Sequence, residues 1–72
     1  MNTRGQGKAK WNIQKAISRL EEMERNGMWL SRKVGVSSKT AYAWLSGDYS
    51  PSIGNLKRIA EVLGLEWQDL VV

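Results

Sequence analysis

The sequence predicts an all-α fold, a compact bundle of five short helices, and three features carry that prediction. Apolar residues recur at three- and four-residue intervals in separate segments, which is the period of one buried helix face. Small polar residues that cap helix starts, and glycines that stop helices, stand between these segments. The chain has 72 residues, enough for one domain and no more, because a chain this short buries only about 60% of its unfolded surface.

Residues 1–10 hold Gly, Thr, Asn and Gln with Arg4, Lys8 and Lys10, and they lack apolar periodicity. They offer little surface to offset the entropy of ordering and are expected to form a flexible basic arm ahead of a domain over 11–72. From Asn12, the residues Ile13, Ala16, Ile17, Leu20 and Met23 make one stripe of a first helix that is expected to end near Asn26 and Gly27. Asn26 then caps a short second helix in which Leu30 and Val34 face inward. Gly35 marks a tight corner, free to take positive φ, and Ser37 caps a third helix.

Within that third helix Ala41, Trp44 and Leu45 form an i, i+3, i+4 set toward the core, leaving Lys39, Tyr42, Ala43 and Ser46 as an outer stripe. Gly47 and Pro51 end it. Ser52 caps a fourth helix whose stripe is Ile53, Leu56, Ile59, Ala60 and Leu63, stopped by Gly64. Residues 66–72 add one or two further turns, with Trp67, Leu70 and Val71 as the apolar side.

Composition removes most catalytic chemistry. The chain has no cysteine and no histidine, which takes away thiolate metal sites, the commonest nitrogen ligand for metals and the commonest general base. Glu21, Glu22 and Glu24 have no nucleophile or metal partner nearby and are read as a solvated face. No enzyme activity, metal, cofactor or small-molecule ligand is expected. The longest apolar run, Ala41 to Leu45, is far short of the ~20 residues of a membrane span, so a cytoplasmic protein without a membrane partner is expected.

The charge points to a polyanion. The net charge is +4, and two zones, residues 1–10 and 27–47, carry Arg4, Lys8, Lys10, Arg32, Lys33 and Lys39 with no acid. From Asp48 onward the acids Asp48, Glu61, Glu66 and Asp69 outnumber Lys57 and Arg58, so one side of the molecule should face anions. A short helix, a glycine corner and a second helix with small polar and basic residues outside is the arrangement that places a helix in the DNA major groove. Ser38, Lys39, Tyr42 and Ala43 are then the candidates for base readout. Lysine suits guanine O6 and N7, serine suits either polarity, and alanine or the tyrosine ring suits a thymine methyl.

Phosphate candidates follow from the same placement. Asn26, Gly27 and Met28 stand at the start of helix two, where free N–H groups and the helix dipole favour an anion. Gly47 and Tyr49 are expected to do the same in the turn after helix three, joined by Thr40 and Ser46, with Arg32 and Lys33 adding longer-range attraction. Asp48 would repel phosphate and is expected to point away or cap the turn. The arm with Arg4, Lys8 and Lys10 either stays disordered or tracks DNA.

Leu30-Ser31-Arg32-Lys33-Val34-Gly35-Val36-Ser37, with the later Trp44-Leu45-Ser46-Gly47, resembles the lambda-repressor and Cro-like helix-turn-helix proteins of the XRE family. The resemblance continues through Pro51-Ser52-Ile53 and Leu56 to Gly64, and covers roughly residues 13–70. It implies a five-helix transcriptional regulator, usually a homodimer on a palindromic double-stranded operator, from bacteria or their phages, here of the short Cro-like repressor type. Two departures stand out: many members carry glutamine where this chain has Gly27, and alanine where it has Ser31.

The four tryptophans are mainly core or interface material. Trp44 belongs to the core by its stripe. Trp29 either packs on helix one or leans on a sugar–phosphate strand, and Trp67 either closes the core or, with Leu70 and Val72, forms a dimer patch. A second reading is an antitoxin or adaptor that grips a protein partner through this C-terminal surface.

Overall fold

Four α-helices and one 3₁₀ turn succeed one another along residues 11–72, the part of the chain that the computed structural model describes. They are α1 (Ile13–Glu22), α2 (Gly27–Val34), α3 (Ser38–Ser46), α4 (Ile53–Leu63) and the turn Trp67–Leu70. The expected fifth helix is therefore a single 3₁₀ turn of four residues. The expected basic arm lies outside the described residues.

The helix starts follow from local chemistry. Asn12, Asn26, Ser37 and Ser52 each accept, through the side-chain oxygen, the N–H three residues on, at 3.0 to 3.2 Å. At the other ends Gly35, Gly47 and Gly64 take positive φ and return their N–H groups to the last helical carbonyls.

Helix α1 behaves differently. It stops at Glu22, four residues before the expected end, because Glu24 enters the left-handed region at φ 58° and Arg25 N–H turns back to the Leu20 carbonyl at 2.8 Å. A non-glycine residue is strained in that conformation. Glu24→Gly is expected to raise stability by about 0.5–1 kcal/mol, read as an increased urea midpoint. A lowered midpoint would show that Glu24 makes a compensating interaction.

The core joins all five elements: Ala16 and Leu20 of α1, Leu30 and Val34 of α2, Ala41 and Trp44 of α3, Leu56, Ile59, Ala60 and Leu63 of α4, and Leu70. Ile53, assigned to the inner stripe of α4, is instead 57% exposed, since it occupies the first helical position, beyond the edge of the core. Leu45 is only partly buried. The segment before α1 meets the C-terminal turn: Asn12 N–H donates to the Leu70 carbonyl at 2.8 Å, and Trp11 bridges Val71 in antiparallel fashion. Trp11 is buried there, its indole N–H without an acceptor among the described residues.

Two arginines tie the helices across the bundle. Arg19 of α1 donates Nε–H to the Leu63 carbonyl at 2.7 Å, and Arg58 of α4 donates to the Val34 carbonyl at 2.9 Å. Each guanidinium thus satisfies a carbonyl at the C-terminal end of another helix, where the dipole favours a cation. Arg58 in this way anchors the corner between α2 and α3.

Ser31 is the buried polar residue of α2, and its hydroxyl donates to the Met28 carbonyl at 2.6 Å, so the change from the family's usual alanine leaves no unsatisfied group. No described helix is long and apolar enough to cross a membrane.

Candidate nucleic-acid interface

Helices α2 and α3 pack directly on each other around Gly35, whose φ of 92° makes the corner. With Ala41 and Trp44 turned into the core, α3 presents its other side to solvent. Lys39 is exposed there, Ser38 and Ala43 are half-exposed, and an open trough of about 850 Å³ lies along this side, touched by Lys39, Tyr42, Ala43 and Ser46. Asp48 and Tyr49 also line the trough. Asp48, expected to point away or cap the turn, is exposed and lines the trough together with Lys39.

Three of the four readout candidates, Lys39, Tyr42 and Ala43, line one trough, while Ser38 is not among its lining residues. The Tyr42 ring does not project straight outward from α3; it folds back over Gly27 at the start of α2. A Cβ built on Gly27 would stand 2.8 Å from Tyr42 Cε1, 3.0 Å from Cζ and 3.1 Å from Cδ1. Gly27 is buried as a result, while Met28 next to it remains exposed. Of the two, Met28 is the one whose surface stays open to a phosphate.

At the same end of α2, Asn26 spends its side-chain oxygen on the Trp29 N–H, and the N–H groups of Gly27 and Met28 have no acceptor among the described residues. The turn after α3 is different. The N–H groups of Asp48 and Tyr49 both reach the Ala43 carbonyl, at 2.9 and 3.3 Å, and that of Gly47 reaches Trp44 at 3.2 Å. Ser46 also gives its hydroxyl proton to Ala43, at 3.1 Å. The donors expected from Gly47, Tyr49 and Ser46 are thus committed to closing α3, which leaves the exposed phenol of Tyr49 as the outward group. Thr40 accepts from the Ser37 hydroxyl at 3.0 Å and keeps its own proton to give.

Arg32, Lys33 and Lys39 are exposed and have no acidic partner, the one ion pair among the described residues being Arg19 with Glu22 at 3.1 Å. Trp29 is half-buried against the core, and its ring faces the Arg25 guanidinium at 5.3 Å and the Lys33 ammonium at 6.0 Å. Trp67 likewise is partly buried, with Lys57 over its ring at 5.4 Å. Leu70, expected in a dimer patch with Trp67 and Val72, is 0% exposed and belongs to the core, so it is not available to a partner. Sequence reasoning passed over Arg58, which holds the corner, and Gly27 as the seat of Tyr42. Both roles join residues distant along the chain, and nothing in local periodicity signals them.

Comparison with known proteins follows the same outline. No curated protein matches the chain. A crystal structure of a Bacteroides fragilis protein, provisionally assigned as DNA-binding, superposes with a TM-score of 0.73 at 29% identity, covering 86% of this chain and 95% of that one. Residues 30–70, running from the middle of α2 through α3 and α4 to the C-terminal turn, match the model of the helix-turn-helix family. With more than half of its length in that match, and with the Gly35 corner and α3 inside it, the chain belongs to the XRE-type helix-turn-helix family.

Proposed function

We propose that the protein is a sequence-specific transcriptional regulator that occupies double-stranded DNA with α3 in the major groove. The observation that carries this reading is the exposed side of α3, where Lys39, Tyr42 and Ala43 line one trough in a domain of the helix-turn-helix family. The groove is ~12 Å wide and accepts a helix whose exposed side chains reach base edges. Lys39 donates to guanine, Ser38 and Ala43 read neighbouring positions, and Met28, Thr40, Arg32 and Lys33 hold the backbone. The N-terminal residues Arg4, Lys8 and Lys10 add further phosphate attraction.

The regulator acts as a Cro-like repressor in the cytoplasm of a bacterial or phage-infected cell, by steric occupation of an operator. Two copies set their α3 helices in successive major grooves ~34–36 Å apart, so the operator is a near-palindrome. Trp67 and the exposed Val72 are the remaining candidates for the contact between copies.

Selection of random duplexes on the purified protein, followed by titration on the enriched sequence, tests the reading. A symmetric site bound at least ~1,000-fold tighter than random DNA supports it. If no motif enriches, the specific-regulator reading is lost and a protein partner, as for an antitoxin or adaptor, takes its place.

Lys39→Ala supplies a sharper check. Its loss removes a base contact worth about 1–3 kcal/mol of discrimination, so affinity for the selected site is expected to fall roughly tenfold or more while random DNA is held within about threefold. Equal losses on both DNAs would reassign Lys39 to the phosphate backbone.

A further inference from the structure

We infer that Gly27 is a specificity-determining position of this protein, and that it acts through Tyr42 by leaving room for the tyrosine ring to fold back against α2. This inference rests on the DNA reading above.

Three ring carbons of Tyr42 lie 2.8, 3.0 and 3.1 Å from where a Cβ on Gly27 would stand. Carbon atoms meet favourably at about 3.5–4.0 Å, so any side chain at position 27 displaces the ring. None of the other described glycines has a neighbour nearer than 3.4 Å on the same measure. Gly27 therefore differs in kind from Gly35, Gly47 and Gly64, which are required by positive φ; it has no such φ and is required by space.

The displaced ring has one way to go. Its inner side is closed by α2, while the residue is already 46% exposed and its hydroxyl has no hydrogen-bond partner among the described residues. The ring already borders the trough that Lys39, Ala43 and Ser46 also line, and once displaced from Gly27 it swings further over it. With glycine at 27, the ring lies at the junction of α2 and α3 and leaves Lys39 and Ala43 open to the groove floor. With a side chain at 27, an aromatic ring stands among the reading groups and excludes them from the bases they would meet. One hydrogen atom in place of a methyl thus decides which side chains of α3 read DNA. Gly27 is a positioning residue, and Tyr42 is the group it positions.

The test is a double-mutant cycle read by DNA selection and titration on four proteins: wild type, Gly27→Ala, Tyr42→Ala and the double variant. Alanine is a good helix former, so Gly27→Ala should keep the wild-type helical circular dichroism. It is expected to bind the wild-type site at least tenfold more weakly and to enrich a different base at one or more positions of each half-site. In the Tyr42→Ala background the same change at 27 is expected to alter affinity less than about twofold, since there is no ring left to displace.

An independent reading comes from nuclear magnetic resonance. The ring over Gly27 should shift the Gly27 Hα resonance, and Tyr42→Ala should return it to the ordinary glycine range. If Gly27→Ala selects the wild-type motif with wild-type affinity, or loses as much with Tyr42 absent as present, the inference falls and the DNA reading stands. If the wild type itself enriches no motif, the DNA reading falls and the specificity role goes with it.

Discussion

Trp44→Ala is expected to lower the melting temperature by roughly 15–30 °C, and the reason is the position of this one side chain. Trp44 is 3% exposed and forms, with Ala41, the face by which α3 is held on the bundle. Truncating a buried tryptophan costs about 3–5 kcal/mol, through lost apolar transfer and the cavity left behind. A domain of this size holds roughly 4–11 kcal/mol in all, at about 0.05–0.15 kcal/mol per residue, so at least about a quarter of its stability rests on that contact.

No disulfide is possible to offset the loss, because the chain has no cysteine. Melting followed by far-ultraviolet circular dichroism measures the effect, and Trp44→Phe, which retains an aromatic ring, should lose far less. A melting temperature for Trp44→Ala within about 5 °C of wild type would mean that α3 is seated by its neighbours instead.

The second large effect concerns salt. Affinity for the selected operator is expected to drop roughly 10²–10³-fold between about 50 and about 200 mM monovalent salt. Arg32, Lys33 and Lys39 stand exposed without acidic partners, about six cations in the proposed dimer, of which the four from Arg32 and Lys33 face phosphate in this reading. Each phosphate neutralised adds about −0.9 to the slope of log affinity against log salt, so four to six contacts give about −4 to −5.

Arg32→Ala and Lys33→Ala should each flatten that slope by about one per chain while sparing the preferred sequence, in contrast to Lys39→Ala. Asp48 works against the field, since its carboxylate lines the same trough. A slope shallower than about −2 would mean that these side chains do not face phosphate, and the proposed orientation of α2 and α3 on DNA would have to be abandoned.

The division between local and distant causes explains which expectations survive. Asn26, Ser37 and Ser52 cap their helices as expected, because a cap needs only the residue and the N–H three positions on. Gly35, Gly47 and Gly64 stop helices for an equally local reason, the freedom to take positive φ. Leu30, Val34, Ala41 and Trp44 are buried as their spacing requires. The helix-turn-helix itself is therefore written in short-range pattern, and so is the choice of α3 as the helix with an open outer side.

The expectations that changed depended either on what lies across the bundle or on how a single turn closes. Ile53 shares the period of α4 but stands beyond the edge of the core, and Leu70 lies where α4 and the segment before α1 close over it. Gly47, Tyr49 and Ser46 had donors on paper, yet three-dimensional closure of the turn commits them to α3 carbonyls. Arg58 finds the Val34 carbonyl 24 positions away, and Tyr42 finds Gly27.

By itself, then, the sequence determined the order of the four α-helices, their N-caps and glycine stops, most of the inward face of each, and the open outer side of α3. Periodicity and capping act within a few residues, so they can be read along the chain. Only the tertiary structure decided where α1 ends, which donors stay free at the interface, and where the Tyr42 ring rests. The Tyr42 ring rests where packing brings residues distant along the chain together, and the other two turn on backbone geometry within one turn that apolar periodicity does not register.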